Sequence, residues 1–179
     1  MIEESIKNIL LEIESDAALD GNGELREGLK NTPKRVVESW KELYSGYSQD
    51  PEQTLNATFN GEGYDGIVLL KDIEFHSTCE HHMLSFTGKA HVAYFSNGNV
   101  IGLSKMNRIV DYYARRPQVQ ERLNIQVVKK LQEFLNTEDV ACVIDAKHMC
   151  VNSRGIRHID CSTVTGESVS YTHLTLPTS

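Results

Sequence analysis

No run of apolar residues in this sequence approaches the roughly 20 needed to span a bilayer. The opening Met1-Ile2-Glu3-Glu4 has neither the basic n-region nor the apolar h-region of a signal peptide. Basic excess is missing too: the formal net charge is −7, which argues against a broad nucleic-acid-binding surface. It leaves open a phosphorylated small molecule, because a local lysine and arginine pocket can sit on an acidic body. There is no internal repeat, low-complexity block or interdomain linker. These absences point to the cytoplasm, where structural disulfides are rare. Cysteine is scarce, at four residues, and in that compartment four are better explained as thiols or metal ligands than as two bridges. Cys142 reads as a small buried hydrophobe.

What is present suits one soluble domain: 179 residues, 40% hydrophobic and 24% charged, enough to bury a real core. Ile2, Ile6, Ile9, Leu10, Ile13 and Ala17 recur at helical spacing and predict an amphipathic helix to about residue 18. Thr32 as cap and Pro33 at the first helical position predict a second, with Val36, Val37, Trp40, Leu43 and Tyr44 as its apolar stripe. Ile67 to Phe75 and Lys89 to Phe95 read as strands. Asn97-Gly98 signals a hairpin that returns through Val100-Ile101-Gly102-Leu103. Helical spacing resumes at Ser104, is interrupted by Arg115-Arg116-Pro117, and continues from Val119 to Phe134. Val140 to Cys150 reads as one long strand whose even positions share a face, placing His148 and Cys150 side by side. Helices, strands, helices and a strand give an α+β class with a largely antiparallel sheet.

His76-Ser77-Thr78-Cys79-Glu80-His81-His82 is the chemically densest window, with one thiol and three imidazoles in a single short stretch. Cys79-x-x-His82 is a plausible pair of zinc ligands on a tight turn, and Cys150 makes the set Cys2His. Such a set leaves the fourth tetrahedral position for water, whose pKa zinc lowers to roughly 7. His81 and His148 then sit beside ligands as candidates for proton transfer. Two blander readings stand next to this one. Cys161 as a fourth ligand would close the site as Cys3His, and unligated cysteines would leave no site at all.

Anion recognition has three candidate groups. Ser104-Lys105-x-x-Arg108 opens a helix, where free N–H groups and positive side chains suit a phosphate. Arg154 and Arg157 follow just after Cys150, and Lys34-Arg35 is a further pair. Charge clusters are more often solvated faces, and by spacing alone Gln120-Glu121 reads as the exposed, carboxylate-bearing start of a helix.

Four longer stretches occur in the order and approximate spacing of one family. They are Ser77-Thr78-Cys79-Glu80-His81-His82, Gly102-Leu103-Ser104-Lys105-Met106-Asn107-Arg108, Arg116-Pro117-Gln118-Val119-Gln120-Glu121-Arg122-Leu123 and His148-Met149-Cys150-Val151-x-x-Arg154-Gly155. They resemble GTP cyclohydrolase I, and Thr32-Pro33-Lys34-Arg35-Val36 resembles its N-terminal motif. The resemblance implies a tunnel fold: an antiparallel β-sheet with packed helices and an N-terminal helical segment, its subunits forming a barrel. It further implies a homodecamer of two pentamers with active sites at subunit interfaces. On the matched positions, Cys79, His82 and Cys150 hold one Zn2+ per subunit, with iron as the alternative occupant. Glu121, with Gln120 beside it, recognises guanine, whereas Lys105, Arg108, Arg154 and Arg35 hold the triphosphate. His148 protonates the imidazole ring of GTP, while His81 and Ser104 serve later proton transfers. The implied reaction converts GTP to 7,8-dihydroneopterin triphosphate and formate, the first step of tetrahydrofolate or pterin biosynthesis, without a redox cofactor.

The expected organisation is a helical region over 1–66, a catalytic region over 67–168 and an atypical tail over 169–179. The tail departs from the family, lacks helical periodicity and reads as foreign to it. Alternatives are a zinc-stabilised or inactive tunnel-fold homologue, and a related nitrile reductase. The latter needs a nucleophilic cysteine and a nicotinamide rather than Cys79, His82 and Cys150 together.

Overall fold

The apolar spacing that begins at Ile2 winds into helix α1 (Ile2–Glu14), and a single 3-10 turn, Ser15–Ala18, completes the stretch expected to be helical. Ser15 at φ 51° breaks the regular helix there. The computed structural model describes residues 1–55, 58–96 and 98–168. It divides the chain into two units, Met1–Ser45 and Gly46 onward. In the first unit α1 packs on α2 (Thr32–Leu43), with Asn31 rather than Thr32 at the cap position and Pro33 in the first turn. A one-residue offset is usual at helix ends. Arg26 pairs with Glu14 and donates to the Ala17 carbonyl at 2.7 Å, closing the loop between the helices.

The second unit carries a short helix α3 (Pro51–Leu55) and then the strands. These are β1 (Thr58–Asn60), β2 (Ile67–Cys79), β3 (Ser85–Phe95) and β4 (Asn99–Ile101). Helix α4 (Leu103–Ala114), β5 (Pro117–Gln118), α5 (Gln120–Leu135), β6 (Val140–His148), α6 (Met149–Asn152) and β7 (Thr163–Ser168) follow. The main sheet has the order β5-β2-β3-β6-β7. Its pairs are antiparallel except for β2 with β5, so the architecture is the mixed α+β one expected.

The expected hairpin into Val100 does not form. Both edges of β3 are taken, by β2 and β6, so β4 pairs instead with β1 in a separate two-stranded ribbon. Leu103 opens α4 rather than ending a strand. The anticipated Asn97-Gly98 turn involves Asn97, which lies outside the described residues, as does the tail over 169–179.

Alternation in β6 buries Val140, Cys142, Ile144 and Ala146 against the helices and turns Asp145 and Lys147 outward. Helices α4 and α5 supply the facing layer, with Met106, Ile109, Leu123 and Leu131 fully buried. Each such side chain contributes about 1.5–3 kcal/mol relative to exposure. Pro117 ends the α4 pattern because the residue before a proline is pushed out of the helical region. Arg116 there lies over the rings of Tyr47, Tyr112 and Tyr113, at 5.0, 4.3 and 5.1 Å.

Gly88 on β3 leaves no room for a side chain against β6. A Cβ there would lie 2.0 Å from the Asp145 carbonyl oxygen and 2.6 Å from the Ala146 Cα. Both are backbone atoms of β6, so neither yields without parting the strands. Gly88→Ala is expected to cost about 3 kcal/mol, read as a lower midpoint in thermal unfolding; an unchanged midpoint would contradict this packing.

Candidate metal centre and its cavity

Cys79 is the last residue of β2, and the chain turns through Glu80 to Leu84 before β3 starts at Ser85. The turn is closed by the Cys79 N–H donating to the Leu84 carbonyl at 2.8 Å and the Met83 N–H donating to the Cys79 carbonyl at 2.8 Å. Met83, at φ 53°, takes the left-handed position. These bonds present Cys79 and His82 from one tight loop.

Cys150 arrives differently from the long-strand expectation. The β3–β6 ladder runs out at the Phe86–His148 pair, so the chain leaves the sheet after His148 and coils into the one-turn helix α6. The Ser153 N–H donates to the Met149 carbonyl at 3.0 Å and seals that turn. Cys150 is therefore helical, not a strand neighbour of His148. Because β6 lies beside β3, its end and the β2–β3 turn meet at the same end of the sheet. One ligand atom each from Cys79, His82 and Cys150 lies within 4.8 Å of the others.

Two thiols and an imidazole suit zinc, which holds sulfur at about 2.3 Å and nitrogen at about 2.0 Å. Tetrahedral angles then set the donor atoms roughly 3.5–3.8 Å apart, so the observed group needs only a small contraction. Burial, followed by the charge of Cys79, pushes the Cys150 thiol above its ordinary pKa, while Arg154 pulls the other way. A cation shared by the two sulfurs would favour the Cys150 thiolate that its surroundings oppose. Cys161 is exposed and stands outside the group, so the closed Cys3His alternative is not formed here.

Cys142 is the buried hydrophobe expected, its thiol pushed up to about 12 by burial. In the folded protein at pH 8, iodoacetamide is expected to label exposed Cys161 and spare Cys142. Peptide mass spectrometry reads the difference, and equal labelling would contradict the burial.

Beside the metal group is a cavity of about 220 Å3 whose lining includes Cys79, His81, Gln120, Glu121, His148 and Cys150. His148 is half-buried, its ring stacked on Phe86 at 4.6 Å with 2° between the planes. Burial pushes its pKa below the ordinary histidine value, and the Glu121 carboxylate partly offsets this. Gln120 is buried, and its amide nitrogen donates to the Ile144 and Thr163 carbonyls at 3.0 and 2.8 Å and to Thr165 Oγ1 at 3.0 Å. That fixes the amide orientation, so Gln120 Oε1 accepts from His148 Nε2 at 2.7 Å. The proton on the half-buried imidazole is thereby assigned to Nε2.

Residues 2–172 match the family model described as GTP cyclohydrolase I. The chain belongs to that family. It is 51% identical over 166 residues to GTP cyclohydrolase 1 of Flavobacterium johnsoniae, covering 92% of this chain and 74% of that protein. To GTP cyclohydrolase 1 of Brucella canis it is 51% identical over 141 residues, covering 78% of this chain and 66% of the relative. Among solved structures, the archaeosine synthase QueF-Like in the apo form aligns with a TM-score of 0.49 at 19% identity, over 59% of this chain and 95% of that one.

The other residues suggested by the GTP cyclohydrolase I resemblance are more dispersed. Ser104, Lys105 and Arg108 occupy the first turns of α4 and Arg154 follows α6; none of them lines the 220 Å3 cavity. Arg35 is exposed on α2, in the N-terminal unit. Sequence reasoning missed the partners that hold the site together. Phe86 under His148, the Gln120 bridge and an ion pair of Glu80 with Arg122 join residues far apart in the chain, and no local pattern announces them.

Proposed function

We propose that this chain is a zinc-dependent GTP cyclohydrolase I, converting GTP to 7,8-dihydroneopterin triphosphate with release of formate. The observation that carries the reading is the shared cavity, which sets His148 and Glu121 beside the thiols of the Cys79, His82 and Cys150 group. Those three residues would hold the ion. When bound, zinc supplies Lewis-acid activation of water for attack at C8 of the purine.

The protein's own groups do the rest. Glu121, at the mouth of α5, offers carboxylate oxygens to the N1–H and 2-amino edge of guanine. An adenine presents no such pair of donors and leaves the carboxylate unpaired. His148, steadied by Phe86 and held at Nε2 by Gln120, is the group that, once protonated at Nδ1, gives that proton to the imidazole ring of GTP as it opens. Gln120 supports Glu121 indirectly, because its amide is committed to the protein. His81, exposed at the cavity wall, and Ser104 serve the proton transfers of ribose opening and ring closure. Lys105, Arg108, Arg154 and Arg35 neutralise the triphosphate.

A homodecamer of two pentamers, with active sites at subunit interfaces, would bring the α4 residues of one copy to the cavity of another. Acting on a soluble nucleotide without redox chemistry, the enzyme fits a cytoplasmic setting. Zinc-loaded protein incubated with GTP is expected to yield a product that becomes a fluorescent pterin on oxidation. GTP left intact by protein that binds zinc would sink the reading.

A further inference from the structure

The metal loop is exposed from Glu80 to Met83, yet it must hold His82 at a fixed distance from the Cys79 sulfur at its own base and the Cys150 sulfur on α6. Its base is fastened through the backbone: Cys79 pairs with Gln118 across the β2–β5 ladder, and the Glu80 N–H donates to the Gln118 carbonyl at 3.0 Å. Beyond the base, Glu80 reaches the first turn of α5, where Arg122 donates to both of its carboxylate oxygens, at 2.6 and 2.9 Å. The helix end of that pair is rigid, because Leu123 and Val127 next along α5 are fully buried in the core. The loop end is the exposed partner.

We infer that the Glu80–Arg122 pair is a clasp that holds the Cys79–His82 loop in its metal-ligating geometry. Both are positioning residues: neither belongs to the ligand group. The pair is bidentate, the geometry that carries directional information as well as charge. It is also largely exposed, and such pairs add at most about 1 kcal/mol to folding. Its effect therefore falls on the loop rather than on the fold, as with outer partners of metal ligands that tune affinity about 10- to 100-fold.

Charge alone predicts a different sign. Removing the positive Arg122 from the neighbourhood of a dication would tighten zinc if only Coulomb forces acted. A lost clasp weakens it. The inference rests on zinc occupying the Cys79, His82 and Cys150 group, and not on any reaction of GTP.

The test is zinc affinity of the full chain, measured against a chromophoric chelator with no nucleotide present. Arg122→Met is expected to weaken zinc roughly 3- to 10-fold, somewhat below the range for buried outer partners. Arg122→Lys, which keeps a one-pronged pair, should recover affinity to within about twofold of the parent. The double variant Glu80→Gln/Arg122→Met should bind no more weakly than the poorer single variant, since one interaction cannot be lost twice. Apo-protein thermal midpoints should stay within about 4 °C of the parent. Unchanged or tighter binding by Arg122→Met overturns the clasp while leaving the zinc site standing, and so does additive loss in the double variant. A parent that binds no zinc overturns the metal reading and the clasp together.

Discussion

Cys150→Ala is expected to strip the protein of zinc, with affinity falling by more than about 100-fold, the upper end of what losing a mere outer partner costs. The reason is geometric. Cys79 and His82 come from one loop, and Cys150 is the group's sole donor from another part of the chain. Without it, two residues of a single loop remain to hold a tetrahedral ion. Formate release from GTP should fall to the level of a zinc-free sample. Cys161→Ala is the paired control: the exposed thiol lies outside the group, so one zinc per chain and the full rate should survive. Metal analysis of the two purified variants decides it. Zinc lost from Cys161→Ala, or kept by Cys150→Ala, would require a different ligand set.

His148→Ala is the second large effect, and it should separate chemistry from metal binding. General acid–base groups typically contribute 10²- to 10⁴-fold, so kcat should fall by about that much. Zinc content should not change, because His148 stands outside the ligand group. Removing the ring leaves Phe86 without its stacked partner and the Gln120 oxygen without its donor. Gln120 nevertheless keeps its bonds to Ile144, Thr163 and Thr165, so the cavity wall should persist. A rate within threefold of the parent would remove His148 from the mechanism. A collapse of zinc content would instead make it a structural support of the centre.

The sequence made some of this architecture legible because the signals were local. Cys79-x-x-His82 announces a turn with two donors, and the turn is there. The alternation from Val140 to His148 announces a half-buried strand, and β6 is there. Periodicity failed where a neighbour decided the outcome. Cys150 continues the alternation on paper, but the β3–β6 ladder ends at the Phe86–His148 pair and the chain coils there. Val100 and Ile101 look like a return strand, but both sides of β3 are occupied and they pair with Thr58–Asn60 instead.

At the site the same division holds. The paired thiol and imidazole of Cys79 and His82 could be read from spacing. The Gln120–His148 and Glu80–Arg122 contacts could not, since they join residues 28 and 42 positions apart that only the folded sheet brings together.

The most direct measurement strips the protein of metal with a chelator and adds zinc back in steps. At each step, formate released from GTP labelled at C8 is counted. The account predicts no labelled formate from the stripped protein, followed by a rise that saturates at one zinc per chain. Undiminished formate from the metal-free protein would contradict the account, as would zinc saturation at one per chain with the label still in GTP.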